Sequence, residues 1–158
     1  MKTLIVYATR HGCTKTCAEK IRSVLPRGAD LVTIKESGDI ALEAYDAVAI
    51  GGSIHAGRIQ GSVKKFCDRR QDVLLKKKVG LFLCCMEEGE KAKKEFEDNF
   101  PQALRNHASA KGIFGGAFDF DRMNFLERAI VKKVAGVRNS VSKISDQAIA
   151  EFVGKMKT

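Results

Sequence analysis

Tryptophan is absent from this chain, and its 158 residues include only two tyrosines and two prolines. Interleaved stacking aromatics for single-stranded nucleic acid are therefore missing, and nucleic acid is not an expected partner. No apolar run approaches the ~20 residues that a membrane-spanning helix requires. The chain enters an apolar segment at once, without the basic stretch, apolar core and cleavage pattern of an export signal, so a cytoplasmic protein is expected. Neither GxGxxG nor GxxxxGK[ST] occurs, which removes a Rossmann dinucleotide site and a P-loop nucleotide site. The five cysteines (Cys13, Cys17, Cys67, Cys84 and Cys85) are an odd number with no CxxC pair, a poor disulfide framework. Zinc and iron–sulfur ligand spacings are absent too, so no metal is expected. The thiols read as reduced, small apolar residues.

What is present begins with Leu4-Ile5-Val6-Tyr7-Ala8, an apolar run that delivers the backbone into the turn Thr9-Arg10-His11-Gly12-Cys13-Thr14. A helix starting near Cys13 points its first free N–H groups back at that turn, with the positive end of its dipole. An anion can sit there. Two threonine hydroxyls flank the turn, and Gly12 lets the main chain come close to a ligand. Those parts suit a phosphate monoester, although threonine and glycine also serve turns for purely local reasons. At the helix start, the Cys13 thiolate is favoured by the dipole and opposed by any phosphate bound beside it.

Beyond the turn, apolar runs alternate with segments of helical period. The first helix carries Cys17, Ala18, Ile21, Val24 and Leu25 and ends at Pro26-Arg27-Gly28. Ala29–Ile34 reads as a second strand, followed by a helical turn around Ile40–Ala44. Asp46–Ile50 is a third strand, closed by Gly51-Gly52. Helices are expected near Gln60–Arg70 and over Glu90–Phe100, where Pro101 interrupts or restarts the second. Val79–Cys84 and Gly112–Phe118 are strands four and five, and Asp146–Met156 is the last helix. Five buried strands alternating with helices specify an α/β fold, a parallel sheet covered on both faces. Such sheets bind ligands beyond the strands' carboxyl ends, here loops 9–14, 51–58, 85–90 and 118–122. One domain is expected at this length.

Two further loops offer ligand contacts. Gly51–Gly57 carries three glycines, main-chain N–H groups and the imidazole of His55, so a planar ring could slot between it and the loop after strand four. That later loop has no aromatic residue, and Cys85 and Met86 supply only soft apolar contact. Charge is uneven, with a total of +9. Residues 57–78 hold eight basic and two acidic side chains, and residues 120–158 hold eight and four. Segments 28–56 and 79–119 are net acidic. That pattern bears on partners, not on fold.

Together these segments resemble the flavodoxin family. Thr9-Arg10-His11-Gly12-Cys13-Thr14 matches its T-x-x-G-x-T phosphate loop, and Asp46–Ser53 stands where its third strand and first ring-contacting loop lie. The resemblance spans essentially the whole chain. It implies a doubly wound five-stranded sheet of order 2-1-3-4-5 and non-covalent FMN. The FMN contacts it implies are Thr9, Arg10, His11, Gly12, Cys13 and Thr14 at the phosphate, with Ser53, Ile54, His55, Ala56 and Gly57, then Cys85, Met86 and Glu87, at the ring. No general acid, base or nucleophile is nominated, because the flavin carries the redox chemistry. The chain is closer still to the bacterial flavodoxin-like protoporphyrinogen oxidases of heme biosynthesis, which pass electrons to quinone. Three features carry that likeness: the Gly51-Gly52-Ser53-Ile54-His55-Ala56-Gly57 loop, the Gly115-Gly116-Ala117 end of strand five, and the basic segment after it. The aromatic and basic cluster of that branch is reduced here to Phe118, Phe120, Arg122 and Phe125. A flavodoxin-type carrier serving a redox partner protein is the other function the resemblance implies.

The segment at about 119–140 is a helical insertion relative to a minimal flavodoxin. Met123, Leu126, Ile130, Val134 and Val137 form one apolar stripe, flanked by Arg122, Arg128, Lys132, Lys133 and Arg138. A basic amphipathic helix can lie peripherally on the anionic inner face of a membrane, where a quinone is reached. An isolated stripe more often packs on the protein's own sheet or on a second subunit. Positive charge stabilises the anionic edge of a reduced flavin, so a basic chain should be less reducing than the acidic flavodoxins.

Overall fold

The apolar runs become strands because both faces of the sheet are covered, which favours apolar side chains through the central strands. The computed structural model describes residues 1–26, 28–118, 124–135 and 141–158. β1 (Thr3–Tyr7) is buried throughout and divides its side chains by the pleat. Leu4 and Val6 join one core, and Ile5 and Tyr7 the other. β2 (Asp30–Thr33), β3 (Ala47–His55), β5 (Lys78–Cys84) and β6 (Ala110–Ile113) complete a parallel sheet of order β2-β1-β3-β5-β6. That is the expected order, once the two-residue hairpin strand β4 (Arg58–Ile59) is counted off the path.

The helices divide between the faces. α1 (Cys13–Val24) and α6 (Asp146–Lys157) cover the face that holds Ile5, Ala49 and Phe82. α2 (Gly61–Leu74), α3 (Gly89–Asn99) and α4 (Gln102–His107) cover the other. Pro101 separates α3 from α4, as expected of a residue that cannot donate within a helix. Two short 3₁₀ turns, Ser37–Asp39 and Leu42–Ala44, stand where one helical turn was expected.

Two expected boundaries change. β3 does not stop at Ile50 but runs through Gly51 and Gly52 to His55. These glycines make room for neighbours and do not end the strand. A Cβ on Gly51 would lie 2.1 Å from the Phe82 ring of the adjacent strand, and one on Gly52 2.7 Å from Ile59 and Gln60. Strand five is also divided. β6 ends at Ile113, Gly115 takes φ 81°, and β7 (Ala117–Phe118) pairs antiparallel with β8 (Val141–Ser142). The positive φ turns the chain out of the sheet. Between β7 and β8 lies α5 (Phe125–Ala135), the described part of the insertion. Met123, Val137, Phe120, Arg122 and Arg138 lie outside the described residues. Leu126 and Ile130 are 67% and 54% exposed, so this part of the stripe does not pack on the chain's own sheet.

Candidate functional site

The Thr9–Thr14 turn sits at the carboxyl end of β1, and its geometry is that of an open helix start. Gly12 takes φ 92° as the residue before α1, and no side chain caps the helix. Its N–H donates to Thr9 Oγ1 at 3.0 Å, which ties the two ends of the turn together. Its carbonyl accepts from the Thr16 amide and hydroxyl, each at 3.0 Å. Thr14 is fully buried in the first turn, and its Oγ1 has no hydrogen-bond partner among the described residues. A buried, unpaired hydroxyl costs about 1–3 kcal/mol. Here it stands beside N–H groups that the helix leaves unpaired. An anion with several acceptor oxygens satisfies both.

Arg10 and His11 are held from across the turn by α5. Glu127 takes Arg10 Nη2 on one oxygen at 3.0 Å and His11 Nε2 on the other at 2.6 Å. Asn124 sets this up as the cap of α5, its Oδ1 accepting the Glu127 amide at 2.8 Å while its Nδ2 donates to Glu127 Oε1 at 3.0 Å. The Asn124 side chain thus caps the helix, and it holds the Glu127 carboxylate through its own amide rather than through the backbone N–H of a full capping box. Burial works against ionisation of Glu127, but Arg10 and the two histidines hold its carboxyl below the ordinary value. Glu127→Ala therefore frees the Arg10 guanidinium and the His11 ring beside the turn. FMN should bind about two- to fivefold tighter, the scale of one partly exposed ion pair. A fluorescence titration checks it, and a weaker complex would show that Glu127 organises the turn.

On the other side of the crevice, Ser53, Ile54 and His55 lie on the outer end of β3. Gln60 fixes Ser53, accepting its amide at 3.0 Å and donating to its hydroxyl at 2.8 Å. Ala56 (φ 48°) and Gly57 (φ 74°) form the hairpin turn to β4. Asn99 holds that hairpin by accepting the Ile59 amide at 3.0 Å and donating to the Gly57 carbonyl at 3.1 Å. After β5, the Cys85 amide donates to the Gly115 carbonyl at 3.0 Å, and Gly116 packs so closely that a Cβ would lie 2.6 Å from Met86 Sδ. Burial pushes the Cys85 thiol up to about 12, so it is an apolar contact and not a nucleophile.

The structure thus brings Thr9, His11, Cys13, Ser53, Ile54, His55, Cys85 and Met86 around one cavity of about 40 Å³, joined by Cys84, Gly116 and Ala117. Arg10, Gly12, Thr14, Ala56, Gly57 and Glu87 do not line it. Sequence reasoning missed Gln60, Asn99 and Glu127. The Asn124-x-x-Glu127 spacing was a readable capping signal for the last of them. A planar flavin ring does not fit a volume this small, since ligand sites run to about 300–1,000 Å³. The His11 and His55 rings meet edge-on at 5.6 Å across the gap, and the two loops must part to admit a ring. Hollows of about 520 and 600 Å³, along the β6 edge and near Met1, contain none of the turn residues.

Burial lowers the His55 pKa from 6.5, with Arg10 and His11 adding to the effect and Glu127 opposing it. The folded chain resists a proton that the unfolded chain accepts. Stability should therefore fall as pH drops below about 6.5, and it should be flat above. His55→Gln removes that part of the slope, which denaturant melts at pH 5 and pH 7.5 measure.

Comparison with known proteins gives one account of this arrangement. The protoporphyrinogen IX dehydrogenase (quinone) of Leishmania major is 25% identical over 154 residues, 90% of this chain and 67% of that protein. Among solved structures, a short-chain flavodoxin associated with a non-canonical PDU bacterial microcompartment superposes with a TM-score of 0.60 at 16% identity, covering 99% of this chain and 97% of that one. The rubredoxin:oxygen oxidoreductase of Desulfovibrio gigas superposes with a TM-score of 0.58 at 15% identity. There 99% of this chain spans only 37% of the longer protein. At these identities the superpositions speak to fold alone. The Flavodoxin domain profile matches residues 4–143, from β1 through β8. The chain belongs to the flavodoxin family, and its cofactor is FMN.

Proposed function

We propose that this chain is an FMN-dependent oxidoreductase that delivers electrons to a quinone, with protoporphyrinogen as the reduced substrate to test first. The observation that carries the cofactor's placement is the buried, unpartnered Thr14 hydroxyl beside the uncapped start of α1. In this reading Thr14 and the α1 amides hold the phosphate, while Thr9, through Gly12, fixes the turn. Arg10 supplies positive charge at its mouth, and His11 stands beside it. Cys13 contributes its amide. Ser53, Ile54 and His55 contact one side of the ring, with Cys85 and Met86 on the other. Ala56, Gly57 and Glu87 shape the flanking backbone. The chemistry that FMN supplies when bound is electron transfer between a reduced donor and an acceptor.

The substrate reading rests on the likeness to the Leishmania major protein and on α5. That helix presents exposed Leu126 and Ile130, and exposed Lys132 and Lys133 lie in its last turn. No helix among the described residues is long and apolar enough to cross a membrane. In this reading the 122–138 segment rests on an anionic lipid surface, where each basic residue contributes on the order of 1 kcal/mol. Ile130→Asp should then abolish co-sedimentation with anionic vesicles at low salt without changing FMN affinity.

The deciding experiment is anaerobic oxidation of protoporphyrinogen by the FMN-loaded protein with a soluble quinone. Turnover above that of free FMN is expected. FMN binding without turnover, together with reduction by a flavodoxin reductase, would instead make the chain an electron carrier for a partner protein. The two readings share a cofactor and part at the substrate.

A further inference from the structure

Three of the five thiols, far apart in sequence, meet beneath the phosphate turn. Cys13 is the first residue of α1, Cys17 lies one turn later on the same helix face, and Cys84 ends β5. The Cys17 and Cys84 sulfurs are 3.5 Å apart, and all three sulfurs lie within 4.8 Å of one another. No disulfide is present. Cys17 and Cys84 are buried against Ile5, Ile21 and Phe82, while Cys13 is half-buried. Cys85, next in sequence, faces the opposite core with Cys67, as the pleat requires.

We propose that Cys13, Cys17 and Cys84 form a three-sulfur site for one monovalent copper ion. Three thiolates at a metal–sulfur distance of about 2.3 Å, placed around one centre, lie about 4 Å from one another. The sulfurs already stand within a few tenths of an ångström to an ångström of that arrangement, so side-chain rotation completes it. Among the described residues no carboxylate or imidazole atom joins the three. An all-sulfur donor set selects a soft cation. Zinc would need a fourth ligand, and an iron–sulfur cluster four cysteines. The cavity that Cys13 and Cys84 line is the entry path, and the thiol protons leave by it. Copper enters and remains monovalent, so no electron is transferred. The start of α1 favours the Cys13 thiolate.

The site uses side chains, whereas the proposed phosphate contact at Cys13 uses its amide. This inference therefore does not rest on FMN binding, and a phosphate bound beside the Cys13 thiolate opposes the metal. Its effect would be to clamp the start of α1 to the end of β5.

The test is anaerobic titration of the full chain with copper(I) against the colorimetric chelator bicinchoninate, with and without FMN. A phosphine reductant keeps Cys17 and Cys84 from pairing, which would remove two ligands. One copper per chain is expected, with ultraviolet sulfur-to-copper charge-transfer absorption and a sulfur-only shell by X-ray absorption. Cys13→Ser and Cys17→Ala should each weaken retention at least tenfold, and Cys67→Ala should not. Cys13 is at the edge of the core, so its variant decides the matter if Cys17→Ala fails to fold. Loss of all copper to the chelator from the unsubstituted protein would overturn the site. So would equal retention by Cys13→Ser, or uptake of zinc in preference to copper.

Discussion

Thr14→Val weakens FMN binding by about ten- to a hundredfold and, in the flavin-free protein, raises the melting temperature. The two signs come from one atom. The Thr14 hydroxyl is buried with no partner among the described residues, so the flavin-free chain bears its desolvation. Valine has nearly the same shape and no polar group, and removing an orphaned hydroxyl recovers on the order of 1 kcal/mol. For a chain of this length that is about 2–4 °C. The phosphate reverses the balance. A hydrogen bond to a charged acceptor contributes about 1.5–3 kcal/mol, and each 1.4 kcal/mol is tenfold in affinity. Thr14→Ser keeps the hydroxyl and should retain most of the affinity. Flavin titration and thermal melts of both variants give the answer. Unchanged FMN affinity in the valine variant would remove Thr14 from the phosphate site.

How much of this was legible in the sequence follows from the range of the forces involved. The strand–turn–helix junction at Thr9–Thr14 could be read because its parts are contiguous: an apolar strand, a flexible glycine, hydroxyls and a helix start. The two-core sheet could be read because burial on both faces leaves uninterrupted apolar runs such as Leu4–Ala8. What failed was local punctuation with a tertiary cause. Gly51 looks like a strand end, yet its missing side chain is filled by the ring of Phe82, a residue 31 positions away. Gly115 looks like strand interior, yet its backbone turns the chain into a separate hairpin. The Cys13, Cys17 and Cys84 cluster has no spacing signature, because β5 supplies one of its members. Glu127 lies 117 residues from Arg10. Charge pairing at that separation is set by where α5 comes to rest.

Gly115→Ala should be strongly damaging for a single added methyl, lowering stability by on the order of 4 kcal/mol. Two independent costs meet there. The residue holds φ 81°, a left-handed conformation that strains any residue with a Cβ. The new carbon would also lie 2.0 Å from the Lys143 carbonyl oxygen and 3.0 Å from the carbon behind it. Those are backbone atoms, so no side chain can swing aside. Nor can the 143–145 segment retreat, because the Lys143 amide donates to Gly116 and the Ser145 amide to Phe114, each at 2.8 Å. Relief would break one of these bonds, or the Cys85 amide's bond to the Gly115 carbonyl. A fall in melting temperature of roughly 8–16 °C is expected at this chain length. FMN affinity should drop with it, since Gly116 and Ala117 line the cavity beside the Thr9–Thr14 turn. Gly154→Ala supplies the contrast. It sits within α6 with nothing beyond its own helix backbone within 4 Å of the added carbon, and alanine there should stabilise the helix by up to about 1 kcal/mol. If both substitutions shift the melt alike, backbone geometry at Gly115 is not what shapes the outer wall of the site.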